Sequence, residues 1–323
     1  MVQGGPAVQL GIIVASVLGL WIGARALVDA VVRLARRFGL SDLTIGLTVV
    51  AMGTSTPELV VSVDSALKGL GNIAVANVLG SNVYNLAFIL GVISLLRVIP
   101  IAEGLVHRDG GALLASTLVG GLVVADLTVT RLEGGLLGGL FVVYTAYLLR
   151  TTRSTAPTTT AAEAVTTTVT ERAFRGRDAA LLVGGLALVL VSGDYMVAAA
   201  SELARNAGVS EWVIGGTIVA AGTSTPEFVV SLVALRRGSF GVSVGNVVGS
   251  NVYNVTGILG VSALVRPLAV SGTALETLAW LAVVSVLMVA ALWTKRQLSR
   301  IEGALFVGSE LCRWALSILR VFG

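Results

Sequence analysis

Glutamate is costly to bury in hydrocarbon, yet Glu58 and Glu227 each lie within an otherwise uncharged apolar stretch long enough to span a bilayer. Each ends the same phrase, GTSTPE, at Gly53–Glu58 and Gly222–Glu227, and each phrase is followed by GSNVYN, at Gly80–Asn85 and Gly249–Asn254. Both pairs of motifs are offset by the same 169 residues (58 to 227, 85 to 254). Ala51, Thr54, Ser55 and Glu58 fall at relative positions 0, 3, 4 and 7, one face of a helix. Ala220, Thr223, Ser224 and Glu227 repeat that stripe. A polar stripe on a lipid-soluble rod must face protein or water. Pro57 and Pro226 each remove a backbone donor, so the helices are expected to kink or open around Gly53–Thr54 and its counterpart, freeing carbonyls. In the second motif Ser81 and Asn85 share a face, as do Ser250 and Asn254, with Asn77 and Asn246 one turn along. Gly80 and Gly249 are expected to let neighbouring helices approach closely.

Carboxylates, amides, hydroxyls and loosened carbonyls form an all-oxygen set, suited to Ca²⁺ or Na⁺. Mg²⁺, which keeps its waters, fits less well. The chain has one cysteine, Cys312, and one histidine, His107, in a connection, so Cys- or His-cluster metal chemistry and internal disulfides are excluded. The two Glu side chains carry a formal charge that one Ca²⁺ would neutralise. A buried ion pair is the plain alternative, but Arg25 is the only cationic side chain at comparable depth. For Ser81, Asn85, Ser250 and Asn254 the plain alternative is interhelical hydrogen bonding.

The elements that must position these residues are membrane spans. The 323-residue chain is 55% hydrophobic and 12% charged, with mean hydropathy +0.91, more apolar surface than a soluble core absorbs. The formal charge of +4 is scattered over segment ends, with no clustered basic face for nucleic acid. Segments of about 20 apolar residues predict ten helices, roughly 8–32, 43–67, 72–96, 110–126, 132–150, 179–204, 211–235, 240–265, 273–293 and 301–320. The first lacks a charged leader and is read as a retained helix. Arg33, Arg36, Arg37, Arg150, Arg153, Arg236, Arg237, Lys295 and others follow the odd-numbered spans, whereas Lys68, Arg131, Arg205, Arg266 and Arg320 follow the even-numbered ones. The richer set belongs in the cytoplasm, which leaves both termini outside a plasma-membrane protein.

The 169-residue offset extends beyond the motifs. Arg97 matches Arg266, and Arg131, Glu133 and Gly134 match Arg300, Glu302 and Gly303. The unit is five spans, an odd number, so the second copy enters the membrane from the opposite side. The reading is an all-α protein of two inverted five-helix repeats, 1–150 and 178–323, forming one transport domain. A Thr-rich cytoplasmic linker, 151–177, joins them. It has no Asp-rich loop for a regulatory Ca²⁺ site, and no cofactor or obligate protein partner is expected beyond the bilayer and small cations.

The paired G-T-S-x-P-E and G-S-N-x-x-N phrases resemble the α-repeats of the sodium/calcium exchanger branch of the cation/calcium antiporter superfamily, over essentially the whole chain. The resemblance implies a secondary antiporter, not an enzyme, exchanging Ca²⁺ for Na⁺ by alternating access. Glu58 and Glu227 would clasp Ca²⁺ with the backbone carbonyls of Thr54 and Thr223, and Asn85 and Asn254 would line the centre. The Ala51 carbonyl, Ser55 and Ser250 would form one flanking Na⁺ site; the Ala220 carbonyl, Thr223, Ser224 and Ser81 would form the other. Some relatives, including potassium-dependent exchangers, carry an acid at the position of Asn254, so the amide argues against K⁺ co-transport. Proton/calcium exchangers share the paired Glu but differ in the second motif and rank second; a cation channel ranks below. The resemblance also implies that spans 1 and 6 slide together, and Arg25, Asp29 and Asp194 on them are expected to form a structural charge pair. Asp64, one turn from Lys68, reads as a helix-end pair.

Acid is expected to inhibit transport, because protonating either Glu removes charge from the site. Initial rates across a falling pH series check this, and a flat profile would count against it.

Overall fold

The computed structural model describes residues 5–38, 40–101, 103–152, 176–206 and 220–322. Apolar runs and polar punctuation produce ten helical rods: α1 (Pro6–Phe38), α2 (Asp42–Thr54 and Thr56–Leu67), α3 (Gly71–Leu96), α4 (Gly110–Val124), α5 (Arg131–Thr152), α6 (Gly176–Asn206), α7 (Ala220–Thr223 and Thr225–Arg236), α8 (Phe240–Val265), α9 (Thr273–Trp293) and α10 (Arg300–Phe322). By length and composition six of the described helices, or seven with bent α2, suit a bilayer crossing. The shortfall has local causes: α4 is 15 residues long, and α10 carries Arg300, Glu302, Glu310 and Arg313. The start of the expected seventh span and most of the linker lie outside the described residues. The linker's outermost pairs are helical, Thr151 and Thr152 closing α5 and Gly176 and Arg177 opening α6. His107 lies in a helical turn, Leu105–Asp109, that leads into α4, with its ring edge-on to Trp293 at 4.9 Å. Leu118, Leu122, Val142, Val143, Val286 and Leu287 face outward, as lipid-facing positions do.

Inversion of the repeats is visible in four two-residue strands, β1 (Ile99–Pro100), β2 (Thr128–Val129), β3 (Leu268–Ala269) and β4 (Gln297–Leu298). The 169-residue offset turns β1 into β3 and β2 into β4. The observed pairs are β1 with β4 and β2 with β3, both antiparallel. Each repeat therefore lends its first strand to the other's second, the exchange a two-fold axis produces.

α1 and α6 pack together with their own apolar cluster of Leu20, Leu27, Val31 and Val189, which also takes in Ile45 and Val50 of α2 and Val230 of α7. The larger core lies among α2 to α5 and α7 to α10. A Cβ on Gly23 would stand 2.8 Å from the Gly185 carbonyl, and one on Gly185 would stand 2.8 Å from the Gly23 carbonyl. Gly19, a turn earlier, faces Ser192 and Leu188, so the two helices run antiparallel. That geometry overturns the expected pairing of Arg25 with Asp194. Equivalent positions on antiparallel repeats lie on opposite sides of the crossing, here roughly 16 Å apart along the axis at 1.5 Å per residue. Both side chains are exposed, and no ion pair joins them among the described residues. Instead Arg33 binds Asp178 of α6 at 2.8 Å, and Asp29 binds Arg237, the residue that follows α7, at 3.2 Å. The expected Asp64–Lys68 pair forms at 2.6 Å.

The approach of α8 to the start of α2 sets the site's geometry. Gly241, Gly245 and Gly249 recur every fourth residue, and a Cβ on them would stand 2.7 Å from Leu43 N, 2.7 Å from Leu43 O and 2.5 Å from Leu47 O. Only glycine lets two backbones meet so closely. At Gly80 the expected close approach finds no described atom within 4 Å; the counterpart of Leu47 there is Gly216, outside the described residues.

Gly249→Ala must push backbone against backbone and should destabilise the purified protein by about 3 kcal/mol. Gly139→Ala, on the exposed face of α5 with no described atom near its Cβ, should leave the melting temperature within a degree or two. Equal melting temperatures for the two variants would sink this account.

Candidate cation site between the two broken helices

Both GTSTPE segments break their helix. α2 bends by 48° at Ser55 (φ −80°, ψ 16°), and Ser224 repeats the conformation in α7 (φ −88°, ψ 7°). The cause is the proline two residues on, which cannot donate to the carbonyl of Gly53 or Gly222 one turn before it. The break falls a residue beyond the expected position, and the Gly53 carbonyl is not left loose: Thr56 Oγ1 donates to it at 2.7 Å. A hydroxyl thus substitutes for the N–H that Pro57 lacks. Restarting the helix at Thr56 and Thr225 puts Glu58 and Glu227 in a first turn, where the helix dipole favours negative charge.

Both carboxylates are fully buried. The two halves of the protein bind each other's acid. Ser55 Oγ donates to Glu227 Oε1 at 2.6 Å, and Ser224 Oγ donates to Glu58 Oε1 at 2.9 Å. Ser81 Oγ lies 3.5 Å from Glu58 Oε1, and Ser250 Oγ lies 3.5 Å from Glu227 Oε1 and from the Ala51 carbonyl. Hydroxyls therefore converge on one oxygen of each acid. The other oxygen, Oε2, has no partner among the described residues in either Glu, and the amide oxygens of Asn85 and Asn254 are also buried without one there. Four orphaned oxygen atoms, two of them on carboxylates, are a costly arrangement for an empty interior and a suitable one for a hard cation. No cationic side chain is paired with either Glu among the described residues.

Of the remaining expected residues, Thr54 is buried and turns its hydroxyl to the Val50 carbonyl and to Asn246 Oδ1, at 3.1 and 3.0 Å, so its side chain braces the break. Thr223 is also buried, and Ala220 opens the described part of α7. Asn77 and Asn246 anchor the acids from behind. Asn77 Nδ2 donates to the Glu58 carbonyl at 3.1 Å and to Ser62 Oγ at 3.0 Å; Asn246 Nδ2 donates to the Glu227 carbonyl at 3.2 Å and to Ser231 Oγ at 2.9 Å. Ser62 and Ser231 escaped the sequence reading, although they keep the 169-residue offset. Asn82 and Asn251, inside the second motif, likewise escaped the sequence reading; both are fully buried. Wide π-type turns, Tyr84–Ile89 and Asn254–Ile258, begin beside or at the last motif Asn, a distortion that recurs at functional sites.

Residues 8–150 and 178–309 match the sodium/calcium exchanger protein family. The chain belongs to that family. Among relatives of the exchanger, the putative antiporter CaxA of Alkalimonas amylolytica is 34% identical over 305 residues, covering 92% of this chain and 94% of that one. The sodium/calcium exchanger MaX1 of Methanosarcina acetivorans is 29% identical, covering 88% and 91%. A solved structure of the sodium-calcium exchanger NCX_Mj, soaked with Na⁺ and Sr²⁺, superposes with a TM-score of 0.83 at 27% identity, covering 96% of this chain and 99% of that one. The protein is thus a polytopic membrane antiporter of the Na⁺/Ca²⁺ exchanger type, and the family is one of transporters rather than enzymes.

Asn246→Leu takes an amide partner from the Ser231 hydroxyl and the Glu227 carbonyl of this exchanger. At about 1 kcal/mol or more for each group, the variant should melt several degrees below the parent in a thermal scan. An unchanged melting temperature would refute the bracing role.

Proposed function

We propose that this exchanger moves Ca²⁺ out of the cytoplasm against Na⁺ entry, through one site that faces each side of the plasma membrane in turn, with both termini external. The observation that carries the reading is the pair of buried Oε2 atoms on Glu58 and Glu227, orphaned among the described residues while the serine hydroxyls serve Oε1. Burying two carboxylates without a counter-charge costs several kcal/mol each, and one divalent cation between them removes the deficit. In this reading Glu58 and Glu227 bind Ca²⁺ with the backbone carbonyls of Thr54 and Thr223, and Asn85 and Asn254 line the centre.

Na⁺ would use the same acids. Ser55, Ser250 and the Ala51 carbonyl gather around Glu227, and Ser224 and Ser81 gather around Glu58, with Thr223 and the Ala220 carbonyl completing the second set. These clusters support two flanking monovalent sites that each consume a carboxylate oxygen. Ca²⁺ and Na⁺ then compete, so the carrier holds one cargo or the other, and that exclusion couples their movements. The halves 1–150 and 178–323 act as one transport unit, because each completes the other's hydrogen bonds. Proton/calcium exchange through the same acids is the second reading.

The test is Ca²⁺ uptake by vesicles holding the purified protein, under imposed Na⁺, H⁺ or K⁺ gradients. Uptake should follow the Na⁺ gradient alone and fall about 100-fold or more in Glu58→Gln, as the loss of about 3 kcal/mol of charge pairing requires. Uptake driven only by a proton gradient would establish the second reading. Ca²⁺ passage independent of every counter-ion would mark a channel.

A further inference from the structure

Two asparagines of the GSNVYN motifs that have no place in the ion site proposed above form a linked set with one that does. Asn82 Nδ2 lies 3.0 Å from the backbone carbonyl of Asn251, and Asn254 Nδ2 lies 3.0 Å from Asn82 Oδ1. A backbone carbonyl only accepts. It therefore draws the NH₂ of Asn82 toward itself and fixes the Asn82 oxygen on the opposite side. That oxygen in turn draws the NH₂ of Asn254, and Asn254 Oδ1 is left pointing elsewhere, buried and without a partner among the described residues. One main-chain atom of α8 thus sets the orientation of two amides in sequence.

The repeat does not copy this arrangement. Asn251, the counterpart of Asn82, turns its Nδ2 to the Val247 carbonyl one turn back in its own helix, at 2.7 Å. Asn85, the counterpart of Asn254, has no partner at either amide atom, although all four residues are fully buried. One central amide is held oxygen-outward; the other is unconstrained by any hydrogen bond among the described residues.

We propose that Asn82 is a positioning residue that presents the amide oxygen of Asn254 to the transported cation and thereby favours the divalent cargo. This rests on the reading of Asn254 as lining the ion site. An amide free to turn exposes its NH₂ to the cation for part of the time, and the cation repels that end of the dipole. The ion–dipole energy is proportional to ionic charge, so the loss for Ca²⁺ is the square of the fold-loss for Na⁺ at the same ligand. Asn82 acts only through Asn254, so its removal is felt only where Asn254 is present.

The experiment is a double-mutant cycle on the purified full-length exchanger, with Ca²⁺ binding followed by calorimetry and Na⁺ binding by competition against it. Asn82→Ala should weaken Ca²⁺ by about 10-fold, the value of one well-placed hydrogen bond, and Na⁺ by about 3-fold. In an Asn254→Ala background the same change should alter Ca²⁺ binding less than about 2-fold, the non-additivity expected of linked groups. Equal losses in the two backgrounds would overturn the role of Asn82 and assign it to packing. If Asn254→Ala alone leaves Ca²⁺ binding untouched, the site reading itself fails and this inference falls with it. Should Asn82→Ala not fold, Asn82→Ser replaces it in the same cycle and is judged by the same two outcomes.

Discussion

Two carboxylates in the interior of a bilayer protein, with no cationic side chain among the described residues to answer them, constrain everything around them. Water would solvate a carboxylate with several donors; here the chain must supply them from uncharged groups. It does so with serine hydroxyls from the opposite repeat, with the first turns of two restarted helices, and with asparagines that hold the Glu backbones from behind. A lysine or arginine would serve each acid better, and would also neutralise it. The basic residues are instead spent at the rim, on Asp178, Asp29 and Glu103, and on the carbonyls that close α2 and α8. In the proposed function, keeping the centre uncompensated preserves affinity for a mobile cation, at a cost in stability that the packing elsewhere must offset.

Much of this was legible because the features rest on polarity and proline, which a sequence displays directly. The ends of α3, α8 and α9 fall within a residue of those expected from hydropathy, since an apolar rod stops where charge and turn residues begin. The Ser–Glu stripes follow from 3.6-residue periodicity. Other features depend on geometry that only the folded chain has. Thr56 reads as the unremarkable member of its motif, yet its hydroxyl repairs the bond that Pro57 breaks. The wide turns at Tyr84 and Asn254 insert a residue without any change in polarity. Arg25 and Asp194 match in sequence register, but antiparallel packing sends matched positions to opposite sides of the crossing. Repeat equivalence and spatial proximity agree only near the axis.

The departures from two-fold symmetry carry their own meaning. A perfect inverted repeat would present the same surface to both sides of the membrane and give neither side a preference. Here the reciprocal elements are those that touch the acids: serine to opposite glutamate, asparagine to the glutamate backbone, strand to strand. Apart from the Asn82–Asn254 bond, which Asn251 and Asn85 do not copy, the unmatched ones lie a shell further out. Arg237 ties Asp29 of α1 while Lys68, its counterpart, turns to Asp64 in its own helix. Arg236 covers the Trp21 ring at 4.9 Å where the first repeat has Leu67. Tyr84, Phe88 and Trp314 stack beside Phe228, but the counterparts of Phe88 and Trp314 are Gly257 and Thr145. Symmetry is thus retained in the bonds made to the two glutamates. It is relaxed where α1 meets the end of α7 and where α3, α7 and α10 bring their aromatic rings together, and at such boundaries unequal contacts of about 1 kcal/mol each are enough to favour one orientation of a carrier over the other.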